Sequence, residues 1–160
     1  MRVCFGTPMY VCLAATAGGW HRRCGVTPDM PLPDRDRPLR VLAVEDDADL
    51  REFYREILSD EGHEVRLASH GLEGLRHLDW APDLILLDLM LPVMDGYEFL
   101  RRLRSSPRAA HVPVLVLSAA IPPRGETVRG AQAVLRKPFD FERLLRTIEL
   151  YGNRPRETAN

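Results

Sequence analysis

From Leu39 onward, apolar residues follow two alternating rhythms. Short, nearly unbroken runs cover Leu39–Val44, Glu64–Ala68, Asp83–Asp88, Val112–Leu117 and Ala133–Arg136, with the length and composition of largely buried strands. Between and after them apolar positions recur at steps of three and four: Leu50, Phe53, Tyr54, Ile57 and Leu58; Leu72, Leu75 and Leu78; Tyr97, Phe99, Leu100 and Leu103; Phe141, Leu144, Leu145 and Ile148. Each set marks one face of a helix. Asp47 or Asp49 is placed to cap the first helix and Gly62 to end it, while Trp80-Ala-Pro82 breaks the second. Strands alternating strictly with helices predict a parallel sheet covered on both faces.

Four of the five runs end at polar residues that can do chemistry. The first stops at Glu45-Asp46-Asp47, the third at Asp88, the fourth at Ser118 and the fifth at Lys137. Parallel strands would deliver all of these to the carboxyl edge of the sheet, where open α/β folds build their sites. Carboxylates brought together there repel and need a cation. Two or three of them, with carbonyl oxygens and room for waters, make the hard-oxygen octahedral site that Mg²⁺ takes. A lysine and a hydroxyl beside them add a positive charge and a donor, a set suited to a phosphoryl group transferred to a carboxylate.

The motifs Val44-Glu45-Asp46-Asp47, Asp88-Leu-Met-Leu-Pro-Val-Met-Asp-Gly96, Ser118-Ala-Ala120 and Lys137-Pro138-Phe139 stand in the order and spacing of a known family. From Arg40 to about Tyr151 the chain resembles the receiver domain of two-component response regulators. The resemblance implies a flavodoxin-like doubly wound sheet of five parallel strands in the order 2-1-3-4-5. It further implies that Asp88 is the nucleophile that becomes an acyl phosphate. Asp46 would bind Mg²⁺ directly, Glu45 through water, and the backbone carbonyl of Met90 would complete the protein ligands. Lys137 would share with the metal the charge that builds in the transition state, Ser118 would hydrogen-bond the phosphoryl group afterwards, and the Lys137–Pro138 bond would be cis. The donor would be a sensor histidine kinase or a histidine phosphotransfer protein.

Two departures from that pattern stand out. Between Ser118 and Lys137 the chain carries Ile121-Pro-Pro-Arg-Gly125 and then only Glu126-Thr-Val-Arg-Gly130, which predicts a shortened helix in fourth place. Three residues before the lysine, Val134 stands where receivers commonly carry an aromatic.

Composition narrows the setting. With 28% charged and 45% hydrophobic residues and a net charge of −1, the chain reads as a soluble globular protein that is not drawn to nucleic acid by bulk charge. Cys4, Cys12 and Cys24 all lie in the first segment, too few and too loosely spaced for a disulfide framework or a tetrahedral zinc site, so a cytoplasmic location is expected. No apolar run approaches the roughly 18 residues of a membrane span. Residues 1–38, rich in proline, glycine and charge, read as a disordered or mis-assigned extension. Residues 39–151 form the receiver, and 152–160 a tail too short for an output domain.

Other features have plainer readings. His63, His70 and His77 fall at seven-residue intervals but in different elements, so metal ligation is not expected of them. Arg101, Arg102, Arg104 and Arg108 read as a solvated basic face without a nucleic-acid motif. A haloacid-dehalogenase-like or Toprim-like enzyme would want a second acid two residues after Asp88, where Met90 stands. The expectation is therefore a stand-alone receiver phosphorylated on Asp88, a signalling protein and not a dedicated enzyme. Its output would pass through contact with a downstream protein and not through direct contact with nucleic acid or membrane. The alternative is a pseudo-receiver that binds partners without phosphorylation.

Overall fold

A computed structural model describes residues 37–119 and 128–152. Five strands, β1 (Arg40–Val44), β2 (Glu64–Ala68), β3 (Leu84–Leu87), β4 (Val114–Ser118) and β5 (Ala133–Arg136), pair in parallel in the order β2-β1-β3-β4-β5. This is the doubly wound, flavodoxin-like sheet expected. The register aligns the strand ends: Val44 lies opposite Ala68 on one side and Leu87 on the other, Leu87 opposite Val116, and Ser118 opposite Arg136.

Four α-helices lie among the described residues: α1 (Ala48–Asp60), α2 (Gly71–Arg76), α3 (Gly96–Ser105) and α4 (Phe141–Gly152). Strand alternation divides the core between the two faces of the sheet. Leu42, Val44, Ile85, Leu87, Val114 and Val116 face α2 and α3, against Phe99, Leu100 and Leu103. Val41, Ala43, Leu84, Leu86, Leu115 and Leu117 face α1 and α4, against Tyr54, Leu58, Leu144 and Ile148.

Helix boundaries follow local chemistry. Asp47 caps α1 by accepting from the amides of Asp49 and Leu50, and Gly62, at φ +83°, turns the chain toward β2. Asp95 caps α3 through the Glu98 amide. The second apolar repeat divides into α2, capped by His70 Nδ1 accepting from the Glu73 amide, and a 3₁₀ turn over His77–Trp80 that ends at left-handed Ala81. The expected strand from Val112 begins at Val114, because the Val112 amide is taken by Ala109 in the preceding turn and Pro113 has none to offer. α4 runs through Gly152, where a Cβ would meet Leu39 at 2.4 Å.

The basic cluster on α3 is not a uniform solvated face. Arg101 and Arg102 pair with Glu98 on the surface, but Arg104 turns inward. Its guanidinium donates to the carbonyls of Gly130 (2.6 and 2.9 Å), Ala110 (2.7 Å) and Val112 (2.7 Å) and to Gln132 Oε1 (3.1 Å). Gln132 Oε1 also accepts from the Val114 amide. One side chain thus ties the approach to β4 to the approach to β5. The physical reason is spacing: Arg104 follows Leu100 by four residues and so shares the buried stripe of the helix.

The expected shortened helix between β4 and β5 falls on residues 120–127, outside the described residues, as do the extension through residue 36 and the tail from residue 153.

Candidate functional site

β1 and β3 continue their pairing one residue past their ends. The Glu45 amide donates to Ala68 O and the Asp88 amide to Val44 O, each at 3.0 Å, which buries both side chains at the carboxyl edge of the sheet. Asp46 follows Glu45 on the exposed loop before the helix cap. Ser118 closes β4, fully buried, and Lys137 follows β5, its amide donating to Ser118 O. The Lys137–Pro138 bond is cis.

These residues meet around Asp88. Ser118 Oγ donates to Oδ1 at 2.8 Å and the Met90 amide to the same oxygen at 3.0 Å. Lys137 Nζ donates to Oδ2 at 2.6 Å and to Glu45 Oε2 at 2.6 Å. Burial pushes the Asp88 pKa up, but hydrogen bonds from Lys137, Met90 and Ser118 outweigh it, and the carboxyl sits below its ordinary value. Glu45 goes the other way: burial outweighs its one bond to Lys137, Asp88 and Asp46 add their charge, and its pKa rises. Both carboxyls share the lysine, and their opposite shifts follow from unequal hydrogen bonding. Burial works against the charge on Lys137, but its two carboxylate partners outweigh that and raise its pKa.

The loop after Asp88 holds the aspartate in place. Leu89 and Leu91 turn into the core while Met90 and Val93 are exposed, and the Gly96 amide donates to Leu89 O. A Cβ on Gly96 would lie 2.5 Å from Asp88 O and 2.7 Å from Leu89 Cα, so only glycine lets α3 start against the backbone of the acid. Val93 has φ +67°, unusual for a β-branched residue.

The donor set fits a hard divalent cation. Glu45, Asp46 and Asp88 each offer a carboxylate oxygen, all within 4.8 Å of one another. Two of these acids are buried, where uncompensated like charge is costly.

Buried carboxylates, a hydroxyl and a lysine thus converge on one aspartate at the carboxyl edge of a doubly wound sheet. Residues 41–149 match the response regulator receiver domain, and the chain belongs to that family. It is 41% identical over 112 residues to the response regulator MprA of Mycobacterium sp. (strain KMS), covering 68% of this chain and 48% of that protein. It is 34% identical over 128 residues to the transcriptional regulatory protein CpxR homolog of Haemophilus influenzae, covering 76% of this chain and 53% of that protein. The chain thus spans about half the length of these curated relatives. Among solved structures it resembles chemotaxis response regulator CheY4 of Vibrio cholerae, with TM-score 0.66 and 34% identity over 72% of this chain and 99% of that one. It also resembles the receiver domain of sensor histidine kinase PA1611 of Pseudomonas aeruginosa PAO1, solved with a magnesium ion in its active-site cleft. There the TM-score is 0.67 at 29% identity, over 74% of this chain and all of that one.

The structure brings Glu45, Asp46, Asp88, Ser118 and Lys137 together, and Met90 joins them through its amide on Asp88 Oδ1. Val134, at the position of the family's usual aromatic, packs partly buried against the core on the α2–α3 face. The histidines serve separately: His63 Nδ1 accepts from the Leu39 amide and His70 caps α2. Sequence reading missed Arg51, whose Nη1 donates to the carbonyls of Glu45 and Asp46. Its signal was a cation in the first turn of a helix, where the macrodipole disfavours one.

Proposed function

We propose that Asp88 accepts a phosphoryl group from a phosphohistidine on a sensor histidine kinase or histidine phosphotransfer protein, with Mg²⁺ as cofactor. The observation that carries this reading is the buried Asp88 carboxylate, its pKa lowered, bonded by Ser118, Lys137 and the Met90 amide. One Asp88 oxygen attacks phosphorus, the P–N bond breaks, and its electron pair returns to the imidazole, which takes up a proton. A divalent cation on Glu45, Asp46, Asp88 and the Met90 carbonyl would supply positive charge against the equatorial oxygens.

Lys137, bonded to both Asp88 and Glu45, would stabilise the same charge after giving up part of its hold on the carboxylates. Ser118 then donates to a phosphoryl oxygen in place of Asp88 Oδ1. Because Ser118 ends β4, that exchange biases the segment that follows it, and output passes through protein contact. Among the described residues no helix is long and apolar enough to cross a membrane.

Incubating the chain with acetyl phosphate or phosphoramidate and Mg²⁺ tests this directly. Intact mass should show one phosphoryl group, absent without Mg²⁺ and absent in Asp88→Asn. A chain that binds partners but takes up no phosphoryl group would be a pseudo-receiver. Label persisting in Asp88→Asn would place the acceptor elsewhere.

A further inference from the structure

Arg51 stands in the first turn of α1, its amide making the first helical bond to Asp47 O at 3.0 Å. A cation there opposes the helix dipole. Something else must hold the side chain where it is. Its Nη1 donates to Glu45 O and to Asp46 O, each at 2.7 Å, so the guanidinium folds back over the loop that carries two of the three clustered acids.

We propose that Arg51 is a positioning residue that locks the Glu45 and Asp46 peptide units so that their carboxylates face a divalent cation together with Asp88. The proposal rests on the reading of this cluster as a cation site. Glu45 is already held by Ala68 O through the peptide unit before it, and Arg51 holds the peptide unit after it, so the residue is fixed on both sides. Asp46 is exposed and lies between the strand end and the helix cap, where its peptide unit would otherwise be free to rotate. Rotating either peptide swings the attached carboxylate, and Mg²⁺ tolerates little departure from octahedral geometry. Outer partners that orient ligands in this way typically carry 10–100-fold in metal affinity.

Charge and positioning predict opposite signs. A guanidinium near a cation site repels the cation, so on Coulomb grounds alone its removal tightens binding. Removal of a positioning group loosens it.

Calorimetric titration of the unphosphorylated full chain with Mg²⁺ separates the two. Arg51→Ala should bind Mg²⁺ about tenfold more weakly while melting within a few degrees of wild type. Arg51→Lys, which keeps the charge but loses the guanidinium, should fall between. In phosphoryl uptake from acetyl phosphate, Arg51→Ala should need more Mg²⁺ for half-maximal rate yet reach nearly the wild-type rate at saturation. Unchanged or tighter Mg²⁺ binding in Arg51→Ala overturns the proposal. If Arg51→Ala does not fold, Arg51→Lys decides alone, and wild-type affinity there overturns it. Should wild type itself bind no Mg²⁺, the cation reading falls, and amide exchange in metal-free protein still tests the lock. Faster exchange at Asp46 and Asp47 in Arg51→Lys supports it, and unchanged exchange overturns it.

Discussion

Lys137 Nζ lies 2.6 Å from Asp88 Oδ2 and, at the same distance from Glu45 Oε2, holds two acids together across the carboxyl edge of the sheet. The lysine does in the resting molecule what a cation would do in the loaded one: it neutralises carboxylates drawn out of water. Breaking a buried pair by removing one partner costs about 3–5 kcal/mol, less where the lysine retains some contact with water.

Replacing Lys137 by Met should therefore destabilise the chain by about 2 kcal/mol, and added Mg²⁺ should restore more stability to this variant than it gives wild type. Thermal melts of both proteins with and without Mg²⁺ check this. An equal Mg²⁺ increment in the two would mean that the lysine and the metal do not compensate the same charges.

Arg104 should be irreplaceable by lysine. A single ammonium cannot reach Gly130, Ala110, Val112 and Gln132 together, so Arg104→Lys leaves carbonyls unpaired and should cost about 1–3 kcal/mol in denaturant unfolding. Arg101→Lys, three residues earlier on the exposed side and paired with Glu98, should be nearly neutral.

Val93 should be improvable. It is 81% exposed at φ +67°, so Val93→Gly sacrifices almost no buried surface and removes a clash between Cβ and backbone worth about 1–2 kcal/mol, partly offset by the entropy of an unfolded glycine. The melting temperature should rise. A fall would mean that the valine side chain is held by contacts along the loop.

His63 gives the fold a mild acid sensitivity. Burial lowers its pKa below 6.5, against the raising influence of Glu61 and Glu149, and its neutral Nδ1 accepts from the Leu39 amide. The folded state therefore binds fewer protons than the unfolded one once pH falls below about 6.5, and stability declines from there down through the folded pKa. His63→Gln should flatten denaturant-measured stability over that window. An unchanged slope would assign the proton uptake to other groups.

Much of this was legible in the sequence because strand periodicity and strand-end chemistry are local. Leu84–Leu87 could only be a central strand, and Asp88 after it could only stand at an edge. What stayed hidden depends on contacts between segments distant in sequence. Arg104 reads as one of four arginines until Gly130 and Gln132, twenty-six and twenty-eight residues on, are brought beneath it. The split of the second helix into α2 and a 3₁₀ turn, and the left-handed valine at position 93, are likewise set by how the chain must fit between its neighbours.

The Arg104 contacts also bear on how this protein could be re-engineered. Ser118, tied to Asp88 and to the Lys137 amide, and Gly130, tied to Arg104, are two fixed posts on either side of residues 120–127. Because Arg104 gathers the carbonyls of Ala110, Val112 and Gly130 onto one guanidinium, the approaches to β4 and β5 are braced as one piece from α3. Anyone who redesigns α3 around Arg104 is therefore also redesigning the footing of the two strands that end at Ser118 and Arg136.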